Sequence, residues 1–125
     1  GWYCQPLGIK AVLKMIVKRP SIYIYTDSPN QTVLREICSG IEEEGVFYEV
    51  TEQIGRDLNA LAWSAANDSM LGSGIGIKGD SAAFLIRGLK PGQNIQYYAY
   101  PSGEESRRLG ANSARAIKKQ PFKGV

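Results

Sequence analysis

The sequence contains no histidine. Its absence removes the side chain whose unperturbed pKa lies nearest neutrality, and the commonest metal ligand with it. Every catalytic triad built on an imidazole is excluded at once. Cysteine is almost as scarce. Cys4 and Cys38 are the only two, too few for a disulfide framework, and Cys38 lies in an apolar helical pattern where a buried thiol is the default. This usage points to a reducing, cytoplasmic compartment. No apolar run approaches the roughly 20 residues that cross a bilayer, so no membrane partner is expected. The opening "GWYCQPLGIKAVLK" lacks the continuous apolar region and the small-residue cleavage site of a secretory leader. Repeats and low-complexity tracts are missing as well.

What is present suits one globular domain: 125 residues, 43% hydrophobic and 22% charged, enough for a single core. Met15 opens the segment "MIVKRPSIYIYT" and is read as the natural start. Residues 1–14 are then an added or disordered arm, with a natural N-terminal arm as the alternative, and residues 15–125 are the domain. The net charge of +3 is unevenly spread. Residues 27–57 carry eight acids against Arg35 and Arg56, and residues 104–125 carry six bases against Glu104 and Glu105. Such polarity suits a protein that docks in one orientation on another protein. It suits nucleic acid poorly, because the acidic segment repels phosphate.

Along the chain, "SIYIYT" (21–26) is β-branched and aromatic and predicts a first strand. "DSPN" is turn chemistry ending on Asn30, a good N-cap. Val33, Leu34, Ile37, Cys38 and Ile41 recur at helical spacing over 31–44, and Gly45 stops that helix. "VFYEV" (46–50) predicts a strand and "LNALAWSAAND" (58–68) an alanine-rich helix. "SGIGIK" (73–78) and a segment at 82–86 predict a hairpin joined by a "GD" turn. "NIQYYAY" (94–100) reads as a last strand and residues 102–120 as a last helix. The order β-α-β-α-β-β-β-α predicts a three-layer α/β sandwich: a mixed, mostly parallel sheet of about five strands with helices on both faces.

The glycines of "GSGIGIKG" (72–79) tempt a phosphate-loop reading. They follow a helix and lie inside a strand, whereas a phosphate loop places them between a strand and a helix N-terminus. Close backbone packing is therefore the expectation. Ser28, Ser81 and Cys38 have no activating base at local spacing, so no catalytic residue is assigned. Arg107, Arg108, Arg115, Lys118 and Lys119 make the last helix basic without the interleaved aromatics that stack on RNA bases. Trp63 lies off its helix's apolar stripe and is read as flanking the core, with a partner anchor as the alternative.

The triplet Glu42–Glu43–Glu44 ends the first helix. At about 100° per residue, the Val33/Leu34/Ile37/Ile41 stripe places Glu43 nearly opposite the core, Glu44 nearer the stripe's edge and Glu42 at its flank. A solvated triplet accounts for Glu42 and Glu44. Glu43 is an outward carboxylate at the negative end of a helix dipole, a position that favours a nearby cation or donor. A hard ion such as Mg²⁺ would suit it, but the chain offers no complete cage.

"GIEEEGV" (40–46), "LAWSAANDSMLGSGIGI" (61–77) and "RRLGANSARAIKKQPF" (107–122) together resemble the small subunits of diol and glycerol dehydratase reactivating factors. The resemblance runs from about Ser21 to Phe122, and "YEVTEQIGRD" (48–57) carries no alignable motif. It implies an anticodon-binding-domain-like fold and a non-catalytic, chaperone-like role. The implied partners are an Hsp70-like ATPase large subunit, which binds ADP or ATP, and, transiently, the dehydratase large subunit. A hetero-oligomer and a cytoplasmic location follow, with microcompartment association left open. Exchange with the dehydratase medium subunit would release damaged cobalamin. The resemblance implies no cofactor in this chain alone, and a Mg²⁺ at the interface reached in trans by Glu43. Glu42, Glu43, Arg108 and Arg115 are the expected interface residues. A dehydratase medium subunit, or an RNA-binding module of anticodon-domain type, stand as alternatives.

Overall fold

In the computed structural model, residues 20–119 and 122 are described; the expectations for residues 1–14 and for Met15 lie outside them. The chain alternates strand and helix and then doubles back: β1 (Ser21–Asp27), α1 (Gln31–Glu43), β2 (Phe47–Glu52), α2 (Leu58–Asp68), β3 (Ser73–Lys78), β4 (Ser81–Ile86), β5 (Gln96–Tyr98) and α3 (Gly103–Lys118). The five strands form one sheet in the order β2-β1-β3-β4-β5. β1 is parallel to both β2 and β3, while the β3–β4 and β4–β5 pairings are antiparallel.

The two crossovers step in opposite directions across the sheet, from β1 out to β2 and from β2 back over β1 to β3. Right-handed connections then place α1 and α2 on opposite faces. On the first face α1 is joined by α3. There Ile22, Ile24, Ile75, Ile77 and Phe84 from the sheet meet Val33, Ile37 and Ile41 of α1 and Leu109 and Ala114 of α3. Side chains alternate along each strand, so Tyr23, Tyr25, Ala83 and Leu85 face the other way and pack under α2.

The "SGIGI" glycines serve that second face. A Cβ on Gly74 would lie 2.0 Å from the Ala66 nitrogen, and one on Gly76 would lie 2.7 Å from that of Ala62. Alanines on α2 and glycines on β3 thus let helix backbone rest on strand backbone, as the close-packing reading expects. Trp63 is 38% exposed at the flank of α2.

Local chemistry sets the helix ends. The Asn30 side chain accepts from the amides of Thr32 and Val33, Asp57 caps α2 through the Ala60 amide, and Ser102 with Glu105 closes a capping box on α3. β1 and β4 each gain one residue on expectation, Asp27 and Ser81, and two other strands differ more. β2 starts at Phe47 and runs on to Glu52, because its parallel pairing with β1 continues to Thr26. β5 keeps only Gln96–Tyr98, since Pro101 and the Ser102 cap turn the chain away from the sheet.

Candidate functional site

Two glycines bring α1 and α3 to backbone contact. A Cβ on Gly40 would sit 2.0 Å from the carbonyl oxygen of Arg107, and a Cβ on Gly110 would sit 2.0 Å from that of Ile37. The relation is reciprocal: each glycine faces the backbone one turn before the other. Helices this close bring their flanking side chains into reach, and the acids of α1 meet the bases of α3 there.

Arg107 donates from Nε (3.0 Å) and Nη2 (2.9 Å) to the same oxygen of Glu36. Its remaining nitrogen, Nη1, reaches Glu43 Oε2 at 3.2 Å. The Glu43 side chain is 45% exposed, on the outward side that helical geometry places it. Glu42 is also exposed and accepts from the Tyr48 hydroxyl at 2.8 Å. Glu44 departs from the solvated reading. Its side chain is only 9% exposed, and Arg115 Nε and Lys118 Nζ reach it at 3.1 Å each. Helical phase near the stripe's edge turns Glu44 inward, and two cations from α3 make that position tolerable.

Of the four expected interface residues, Glu43 and Arg115 lie along this seam, while Glu42 turns toward β2 through Tyr48. Arg108 points elsewhere, pairing with Glu104 one turn earlier at 3.2 Å. Arg115 is directed inward onto Glu44. The seam also includes Glu36, Arg107 and Lys118, which sequence reasoning did not assign to it. The opposite charges of the two helices were the signal for that pairing. It also weakens the RNA alternative: Arg107, Arg108, Arg115 and Lys118 already have carboxylate partners. Among the described residues no group of three or more His, Cys, Asp or Glu side chains could hold a metal, and Glu43 belongs to none.

Burial drives the Glu44 carboxyl up, but the hydrogen bonds and charges of Lys118 and Arg115 outweigh it and hold the group below its ordinary value of 4.5. At the other end of the sheet, Asp27 is held low first by Lys78, whose Nζ lies 2.8 Å away, and then by the Gly55 amide. A carboxyl depressed in the folded state adds stability that is present above its unfolded pKa and is lost as pH falls through its folded value. The urea midpoint is therefore expected to be flat above about pH 5 and to fall below it. Glu44→Gln should be less stable at neutral pH and show a shallower acid decline. A decline as steep as the parent's would refute the role of Glu44.

Beside the triplet, burial first and then the charge of Glu42 raise the Cys38 thiol above 9.0, against a lowering hydrogen bond from Tyr48. Burial and the bond to Glu42 raise the Tyr48 hydroxyl too. Neither group is poised as a nucleophile or base.

Residues 19–123 match the model of a family described as dehydratase medium subunit. The chain is 30% identical over 105 residues to the propanediol dehydratase-reactivating factor small subunit of Citrobacter freundii, covering 83% of this chain and 90% of the relative. It is 28% identical over 107 residues to the protein of the same description from Salmonella typhimurium strain LT2, covering 85% and 92%. Two solved structures superpose with a TM-score of 0.78 at 27% identity, each covering 83% of this chain. One is a diol dehydratase-reactivating factor complexed with ADP and Mg²⁺, with 97% of its chain covered. The other is a glycerol dehydratase reactivase, with 96% covered.

Proposed function

The chain belongs to the dehydratase medium-subunit family, on the side of the reactivating-factor small subunits, and we propose that it is the small subunit of a chaperone-like reactivase for an adenosylcobalamin-dependent diol or glycerol dehydratase. It catalyses nothing itself. An Hsp70-like large subunit binds and hydrolyses the nucleotide. This chain, shaped like the dehydratase medium subunit, exchanges with that subunit and so loosens the inactivated enzyme until damaged cobalamin leaves. The assembly is a cytoplasmic hetero-oligomer.

The observation that carries the reading to residues is the state of Glu43. Its carboxylate uses only the spare nitrogen of Arg107, whose other two donors stay with Glu36. An exposed pair of this kind is worth about 0–1 kcal/mol, so Glu43 can leave it at small cost. An exposed carboxylate oxygen is a donor that Mg²⁺ accepts, and Mg²⁺ usually takes one or two carboxylates together with phosphate oxygens and water. Glu43 would supply one ligand in trans, the large subunit would hold the rest, and Glu42 would flank the contact, with Arg108 in the N-terminal half of α3 set apart from it. Arg115 serves it from behind by fixing Glu44 and with it the end of α1.

Glu43→Gln removes the charge and keeps the shape. Co-purification with the large subunit followed by metal analysis should show Mg²⁺ retention falling about tenfold or more, with the variant folded as the parent. Unchanged retention and unchanged complex formation would defeat the metal bridge. The family description also favours a second reading, a medium subunit of the dehydratase itself. Stable capture by dehydratase subunits, with none by a reactivase large subunit, would select it.

A further inference from the structure

β2 is an outermost strand of the sheet, and it is six residues long where β5 at the other edge has three. The Gln53 amide donates inward to the Thr26 carbonyl at 2.7 Å. Backbone direction alternates along a strand, so Phe47, Glu49 and Thr51 also face β1, while Tyr48, Val50 and Glu52 turn their amides and carbonyls outward. Short edges are one way proteins avoid unwanted pairing, and an edge this long forgoes that protection. Val50 is 43% exposed beside it, and Ile54, just beyond its end, is 73% exposed.

Charge selects the occupant. Glu49 and Glu52 are exposed, and neither has an ion-pair or hydrogen-bond partner among the described residues. Two copies of β2 laid edge to edge would bring these carboxylates close to one another, and like charges across a strand pair are destabilising. A basic strand would pair with them. The Tyr48 hydroxyl bonds Glu42, which joins this edge to the surface assigned to the large subunit.

We infer that the outer edge of β2 is a strand-addition site for an extended, basic segment of the large subunit. The inference rests on the reading in which that subunit is the partner. Backbone bonds to Tyr48, Val50 and Glu52 supply affinity, and Lys or Arg opposite Glu49 and Glu52 supplies register. Unlike a Glu43 metal contact, this contact needs no ion.

The test uses the chain and its large subunit together. Hydrogen–deuterium exchange should show the amides of Tyr48, Val50 and Glu52 slowing at least about tenfold in the complex. Val50→Pro removes one outward donor and no sheet bond, so the free variant should keep the parent's melting curve and bind about tenfold more weakly. Glu49→Gln with Glu52→Gln should weaken binding by a similar factor and flatten its salt dependence, and Glu49→Lys with Glu52→Lys should weaken it further and reverse that dependence; these pairs carry the test if the proline variant fails to fold. A complex that forms while the three amides exchange as in the free chain overturns the inference and leaves the proposed function standing. Double reversal that binds like the parent overturns it equally. If the parent chain and the large subunit form no complex, the proposed function itself falls, and this site with it.

Discussion

Gly110→Ala is expected to unfold the protein, or to cost at least the ~3 kcal/mol at the upper end of overpacking penalties. Helix propensity alone argues the reverse, because alanine is preferred to glycine inside a helix by about 1 kcal/mol. The added methyl decides the sign. It would stand 2.0 Å from the Ile37 carbonyl oxygen and 2.9 Å from the carbonyl carbon, both backbone atoms that no rotamer change can move. Relief requires α1 and α3 to separate along their length. Separation would uncover Ile37, Ile41 and Leu109 and draw Arg115 and Lys118 away from the sheltered Glu44. Gly40→Ala should behave alike, since it meets the Arg107 carbonyl oxygen at the same 2.0 Å. One separation relieves both clashes, so the double variant should cost less than the sum of the two. Urea titrations of the three variants check this. A Gly110→Ala protein that melts within about 4 °C of the parent would contradict the crossing described here.

Gly74→Ala is the second large effect, and it strikes the opposite face. Its Cβ would lie 2.0 Å from the Ala66 nitrogen and 2.4 Å from the Ala65 carbonyl carbon. β3 is the middle strand of the sheet, bonded to β1 on one side and β4 on the other, so it cannot retreat and α2 must lift. A loss of ~3 kcal/mol or more is expected. Gly76→Ala should cost less, because its nearest atoms are 2.7 and 2.9 Å away at the first turns of α2. Lifting α2 also breaks the 2.6 Å bond from the Tyr25 hydroxyl to Asp68, so near-ultraviolet circular dichroism should lose tyrosine signal in step with stability. The reverse ranking, Gly76→Ala worse than Gly74→Ala, would place the helix contact at the wrong end of the strand.

Much of the architecture was legible because period and punctuation agree. Alternating Ile22 and Ile24, the Val33–Ile37–Ile41 spacing, and stops at Asn30 and Gly45 each carry a local signal, and α2 and β3 match their expected spans. The glycines of "SGIGI" were legible in kind, as packing glycines, though not in which helix they meet. Gly40 and Gly110 were legible only as motif letters, because a glycine inside a helix looks the same whether it weakens the helix or admits a neighbour. The candidate site divides in the same way. The outward position of Glu43 follows from rotation about one helix axis. Burial of Glu44 against Arg115 and Lys118 joins residues 71 and 74 positions apart, which no local period reports. Arg107 was visible as a base but not as the residue that holds Glu43.

The union of α1 with α3 also sets a constraint on biosynthesis. β1, α1, β2, α2 and β3 are made first and can pair among themselves, yet α1 lacks the surface it crosses until the last helix has been synthesised. Through that interval the backbone notch at Gly40 and the apolar flank around Ile37 and Leu34 face the growing chain's surroundings. Domains generally close as units during synthesis, and this one cannot close until residues 103–118 have cleared the ribosome. The protein thus passes through a stage in which its own half-built core is open to capture.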